Sequence, residues 1–97
     1  MLTAKQKSFL RSLANTQEPI IQVGKGGVTE TVVTAVNQAL TARELVKLTV
    51  LNNCQDPVEL VAQELLRATS SELIQQLGRK IVLYRANPEN PRVCFPQ

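Results

Sequence analysis

The chain contains no histidine and no tryptophan, and its aromatic side chains are Phe9, Tyr84 and Phe95. Without histidine the commonest general base is missing. The carboxylates form no close acidic cluster, and no serine or cysteine sits in a recognisable nucleophile motif. An enzyme is therefore not expected. Two cysteines, Cys54 and Cys94, cannot complete a four-ligand zinc site without histidine. They form no CxxC redox pair, so free thiols in a reducing compartment are expected, with no metal and no cofactor. So few aromatics exclude a sheet platform that stacks bases. Phe9 falls on an apolar helix face, and Tyr84 sits within an apolar strand run. No apolar run approaches the length of a membrane span. Residues 1–7 carry no apolar signal core, so a cytoplasmic location without membrane contact is expected.

What remains is an ordinary globular composition, 43% hydrophobic and 20% charged over 97 residues. This suits one domain with one core, read here as residues 1–86 followed by a tail over 87–97 that holds Pro88, Pro91 and Pro96. A monomer is expected. The net charge is +3 and the pI about 9.2, a balance that permits a polyanionic partner without requiring one.

Periodicity and caps divide the chain. Thr3 with Gln6 makes a capping box for a first helix, with Leu2, Phe9, Leu10 and Leu13 on one face and Lys7 and Arg11 on the other. Pro19 to Val23 reads as a short buried strand. Thr29 caps a second helix with Val32, Val33, Val36, Ala39 and Leu40 inward. Leu45 to Leu51 is the second strand, with Lys47 pointing away from Val46 and Leu48. Asp56, Pro57 and Glu59 suggest N-cap, N1 and N3 of a third helix. That helix buries Val58, Val61, Ala62, Leu65 and Leu66. Glu72 to Leu77 and Lys80 to Arg85 flank Gly78-Arg79 as a hairpin. The order is helix, strand, helix, strand, helix, strand, strand. It implies an α/β fold in which a right-handed βαβ unit and a hairpin form a mixed four-stranded sheet, with helices covering one side. Leu60 lies opposite the core face of the third helix. Val93 and Phe95 in the tail are expected to fold back over it.

Between the first strand and the second helix lies Gly24-Lys25-Gly26-Gly27. A glycine-rich turn from strand to helix lets backbone N–H groups approach an anion without a Cβ in the way. Lys25 adds a positive charge. The sequence is not a Walker A loop, since no GK[ST] follows, nor a dinucleotide fingerprint, since Thr29 replaces the third glycine. It fits GxxG, the spacing with which KH domains clamp an RNA backbone, although there the loop joins two helices. The plainer alternative is a tight turn that needs positive φ.

Three segments occur in register: Gly24-Lys25-Gly26-Gly27-Val28-Thr29, Glu44-Leu45-Val46-Lys47, and Leu77-Gly78-Arg79-Lys80-Ile81-Val82-Leu83-Tyr84-Arg85. Together they resemble the CRM (chloroplast RNA splicing and ribosome maturation) domain in its stand-alone bacterial YhbY-like form, from Thr3 to Arg85. The resemblance implies an RNA-binding domain folded like the C-terminal domain of bacterial initiation factor three. It also implies rRNA of a large-subunit precursor as partner. The chain departs from the family at Thr69-Ser70-Ser71, where many members carry a glycine. That departure bears on the helix stop.

The candidate RNA contacts are Gly24, Lys25, Gly26, Gly27, Lys7, Arg11, Lys47, Arg79 and Lys80, expected to border one continuous positive surface around the glycine turn. Each has a plain alternative. Lys7 and Arg11 suit a solvated helix face, Arg79 and Lys80 a wet hairpin tip, and Lys47 a local pair with Glu44. Arg67 complements the dipole of the third helix and is left out. Two further functions stay open at this point: a protein–protein adaptor, and a small phosphate- or nucleotide-binding module.

Overall fold

The Thr3 hydroxyl accepts from the Gln6 N–H at 3.1 Å, and Gln6 Oε1 accepts from the Thr3 N–H at 2.9 Å. This closed capping box starts α1 at Ala4–Ala14 in the computed structural model, which describes residues 2–95. There follow β1 (Ile21–Val23), α2 (Glu30–Arg43), β2 (Leu45–Val50), α3 (Val58–Thr69), β3 (Glu72–Leu77) and β4 (Lys80–Tyr84). The order is the one read from the sequence. The strands form one sheet in the order β1-β2-β4-β3. β1 runs parallel to β2, and the other neighbours are antiparallel. The sheet is thus mixed and four-stranded, as expected.

The sheet is covered on both faces, which corrects the expectation of helices on one side. β2 turns Val46, Leu48 and Val50, and β4 turns Ile81 and Leu83, toward Val36 and Leu40 of α2 and Val61 and Leu65 of α3. The opposite face presents Leu45, Ile74, Val82 and Tyr84 to Leu10 and Ala14 of α1. The cause is in β4. Ile81, Val82, Leu83 and Tyr84 are all buried, so both faces of that strand are apolar, as in strands covered on each side. Leaving one such side chain in water would forgo about 1.5–3 kcal/mol.

The tail also docks on the α1 face. Val93 and Phe95 pack against the Leu10–Tyr84 cluster. The Phe95 ring lies 5.8 Å from Phe9 and 5.9 Å from Tyr84. The expected cover over Leu60 is therefore not formed; Leu60 is 41% exposed on α3, across the sheet from the tail. Phe95 finds two aromatic rings on the α1 face, where edge and tilted pairs add about 0.5–1.5 kcal/mol each beyond area burial.

Glu44 fixes the returning tail. It ends α2 at φ 64°, ψ −42°, a conformation that costs a non-glycine residue roughly 1–3 kcal/mol unless its surroundings enforce it. Here they do. The carboxylate, only 2% exposed, accepts from the N–H groups of Asn87, Arg92 and Val93 at 2.5–2.8 Å. Its carbonyl accepts from the Arg85 N–H. Burial pushes the Glu44 carboxyl up, but the three N–H donations outweigh it and hold the group below its ordinary value. Burial, and then the charges of Glu44 and Glu72, raise the Tyr84 hydroxyl above its own.

α3 starts differently from expectation and stops at Thr69, within the Thr69-Ser70-Ser71 segment. The N-cap is Pro57, without a side-chain hydrogen bond; the Asp56 carboxylate, expected as the cap, instead turns toward Gly27. At the other end Ser70 adopts φ 53°, ψ 42°, the left-handed conformation that glycine takes most readily. The helix stops where a glycine would stop it. Arg85 then ties this end to α2, donating to the Thr69 carbonyl and to Asn37 and Thr41.

Candidate nucleic-acid interface

Register places three turns at one end of the sheet. Val23 pairs with Val50, and Thr49 pairs with Lys80. The segments that leave β1 and β2 therefore lie beside the hairpin tip that enters β4. With neighbouring strands about 4.8 Å apart, the row from β1 to β3 spans about 14 Å.

The glycine turn is closed by a 3.0 Å hydrogen bond from the Gly27 N–H to the Gly24 carbonyl. Lys25 and Gly26 stand at its tip and are exposed. Their N–H groups donate to no protein group among the described residues. Gly27 is buried at φ +67°. A Cβ there would lie 2.9 Å from Asp56 Oδ2. The Asp56 carboxylate thus closes one side of the turn to anions. The Lys25–Gly26 side remains open, with two free amides and an ammonium. Thr29 ends the turn by capping α2, its hydroxyl accepting from the Val32 N–H.

Next in the row is the segment after β2, braced from the hairpin. The Arg79 guanidinium donates to the Val50 and Leu51 carbonyls at 2.7 and 2.6 Å, while the Arg79 carbonyl accepts from the Val50 N–H. Leu51 and Asn53 in turn flank Gly24. Arg79 therefore holds this end together, with its charge directed at backbone oxygens. Lys80 is exposed, and its ammonium donates to no protein group among the described residues.

The remaining sequence candidates lie elsewhere. Lys47 points to the face that α1 covers, and its ammonium donates to the Ala14 and Gln17 carbonyls at 3.2 and 3.3 Å. It completes the C-terminus of α1, so its charge serves backbone carbonyls. Lys7 and Arg11 are half-buried on α1. That helix packs on Leu45, Ile74, Val82 and Tyr84, toward the end of the sheet remote from the turn. The single continuous surface expected from the sequence is thereby divided. The loop end gathers Gly24–Gly27, Arg79 and Lys80; α1 and Lys47 stand apart.

Chemically, the loop end presents amides and cations to an anion, with the Asp56 carboxylate on its closed side. Among the described residues no group of three or more histidine, cysteine or acidic side chains could hold a metal. Cys54 and Cys94 are free thiols. No helix among the described residues is long and apolar enough to cross a membrane. Sequence reasoning missed the role of Asp56 beside Gly27, since an Asp-Pro pair is a strong cap signal. It also gave no role to Arg43 and Arg92, which the fold brings to one concavity with Gln17; no local pattern links them.

Comparison with known proteins gives matches over most of the chain. A model of the CRS1 / YhbY (CRM) domain matches residues 2–85. The chain is 47% identical over 96 residues to a Bacillus subtilis protein named "Probable RNA-binding protein YqeI", covering 99% of this chain and 100% of that one. It is 34% identical over 88 residues to an "RNA-binding protein" of Haemophilus influenzae, covering 91% and 89%. The solution structure of the protein SAV1595 from Staphylococcus aureus superposes with a TM-score of 0.81 at 46% identity, covering 99% of this chain and 100% of that one.

Proposed function

This chain belongs to the CRS1 / YhbY (CRM) domain family, and on that premise we propose that it is a non-catalytic RNA-binding protein that holds structured rRNA of a large-subunit precursor in the cytoplasm. Lys25, Lys80 and the free amides of Lys25 and Gly26 contact the phosphate backbone. The observation that carries this reading is the turn itself: two unpaired amides and an ammonium at an exposed tip, beside the hairpin that presents Lys80. Gly24 and Gly27 shape the turn, and Arg79 braces it. With so few aromatics, binding rests on phosphate contacts and RNA shape and not on base stacking.

The test is recovery of bound material from cells at low and high salt. The reading expects rRNA from large-subunit precursors at low salt, released as salt rises. A protein partner retained at both salts without RNA would replace it with the adaptor reading. Binding of free nucleotides as tight as binding of RNA would replace it with the nucleotide module.

A further inference from the structure

We infer that the same RNA runs from the glycine turn along the outer face of α2 to a second cationic site formed by Arg43 and Arg92. The inference rests on the RNA-binding reading above. α2 has 14 residues, so its two ends are about 21 Å apart. The glycine turn opens one end, and Arg43 lies in the last turn at the other. The tail crosses that far end, pinned to Glu44, and brings Arg92 to it. Both guanidinium groups are exposed, and neither donates to the protein among the described residues.

The surface between the ends is a chain of shallow depressions. Arg43 and Arg92 line one of about 530 Å³. A second, about 550 Å³, shares Ala42 and Arg92 with it and reaches Gln38. A third, about 360 Å³, continues from Gln38 past Thr34 to Glu30. The groups offered along the way are the hydroxyls of Thr34 and Thr41 and the amides of Gln38 and Asn90. These are neutral donors and acceptors, suited to ribose 2′-hydroxyls and phosphate oxygens. A guanidinium at the end grips phosphate in bidentate fashion.

The lining favours RNA over a protein partner. Of the large apolar side chains exposed among the described residues, Leu60 and Leu77 line none of these depressions and Ile20 lies beside the Arg43 end alone; a protein-binding core would need several such anchors together. Glu18 beside Arg43, and Glu30 and Glu89 along the track, limit how much the second site adds.

The test is equilibrium binding of the full chain to an rRNA fragment between about 50 and 200 mM salt. Wild type is compared with R43A/R92A and with Q38E, which places a negative charge midway. Alanine at 92 keeps the N–H that holds Glu44, and thermal unfolding checks that each variant is folded. The expected result is a loss of about tenfold for R43A/R92A, with a salt slope lower by about 1.4–1.8, and a loss for Q38E. Wild-type affinity and slope in R43A/R92A, with wild type binding RNA, would overturn the second site and leave the loop reading intact. Wild-type affinity in Q38E alone would take the RNA off the α2 face. Absence of RNA binding by wild type would overturn both readings.

Discussion

Replacing Gly27 with alanine separates what the turn needs to fold from what it needs to bind. Gly27 has φ +67°, and a Cβ would sit 2.9 Å from Asp56 Oδ2. The left-handed conformation alone costs an L-residue about 1–2 kcal/mol. The Asp56 carboxylate must also swing aside, and it makes no side-chain hydrogen bond among the described residues that would resist this. The sum is about 1–3 kcal/mol. For a chain of this size each kcal/mol lowers the thermal midpoint by about 4–8 °C, so G27A should melt roughly 4–24 °C below wild type. Circular dichroism during heating reads this directly. The double variant G27A/D56A divides the two causes: the drop from D56A to G27A/D56A measures the backbone, and the extra drop from wild type to G27A measures the clash. Gly26 is the control. It is not at positive φ, and its Cβ would lie 3.2 Å from Thr29 Cγ2, so G26A should stay within about 0.5 kcal/mol. Equal midpoints for G27A and wild type would refute this account of the turn.

Two further substitutions probe backbone and charge. Ser70 holds a left-handed conformation at the end of α3, so S70G should stabilise by up to about 1 kcal/mol, seen as a higher urea midpoint with an unchanged slope; a lower midpoint would contradict it. Glu44 is held below its ordinary value in the folded chain, so its contribution is present above the unfolded carboxylate range and is lost as pH falls through the lower folded value. E44Q removes one acceptor oxygen from the three N–H groups and should cost about 1.5–3 kcal/mol near neutral pH. The difference from wild type should shrink in acid, and amide exchange at Asn87, Arg92 and Val93 should quicken; a pH-independent difference would exclude the carboxylate as the tail's anchor.

Much of the fold was legible because local signals agreed with one another. Thr3 with Gln6, Thr29, and the β-branched run from Leu45 to Val50 each mark an element that the structure contains. The sidedness of the sheet was harder to read. Ile81 to Tyr84 carries the signal for cover on both faces, but the helix that supplies it precedes the sheet in sequence and shares no local pattern with it. The tail illustrates the same limit. Val93 and Phe95 were correctly seen to need apolar partners, yet Phe9 and Tyr84 compete with Leu60 for them, and only the folded chain shows which are near. At the candidate site, Gly24–Gly27 was plain from composition and spacing. Residue type alone could not separate free cations from engaged ones: Lys47 and Arg79 serve backbone carbonyls, whereas Lys25 and Lys80 are exposed.

The most direct test of the central claim is the salt dependence of RNA binding by Lys25→Ala. Lys25 is exposed at the tip of the turn, so removing it should leave the thermal midpoint nearly unchanged. The account predicts weaker binding to every RNA tried and a log–log salt slope lower by about one unit. Wild-type affinity and wild-type slope in K25A would contradict it and leave the glycines as a turn that connects a strand to a helix.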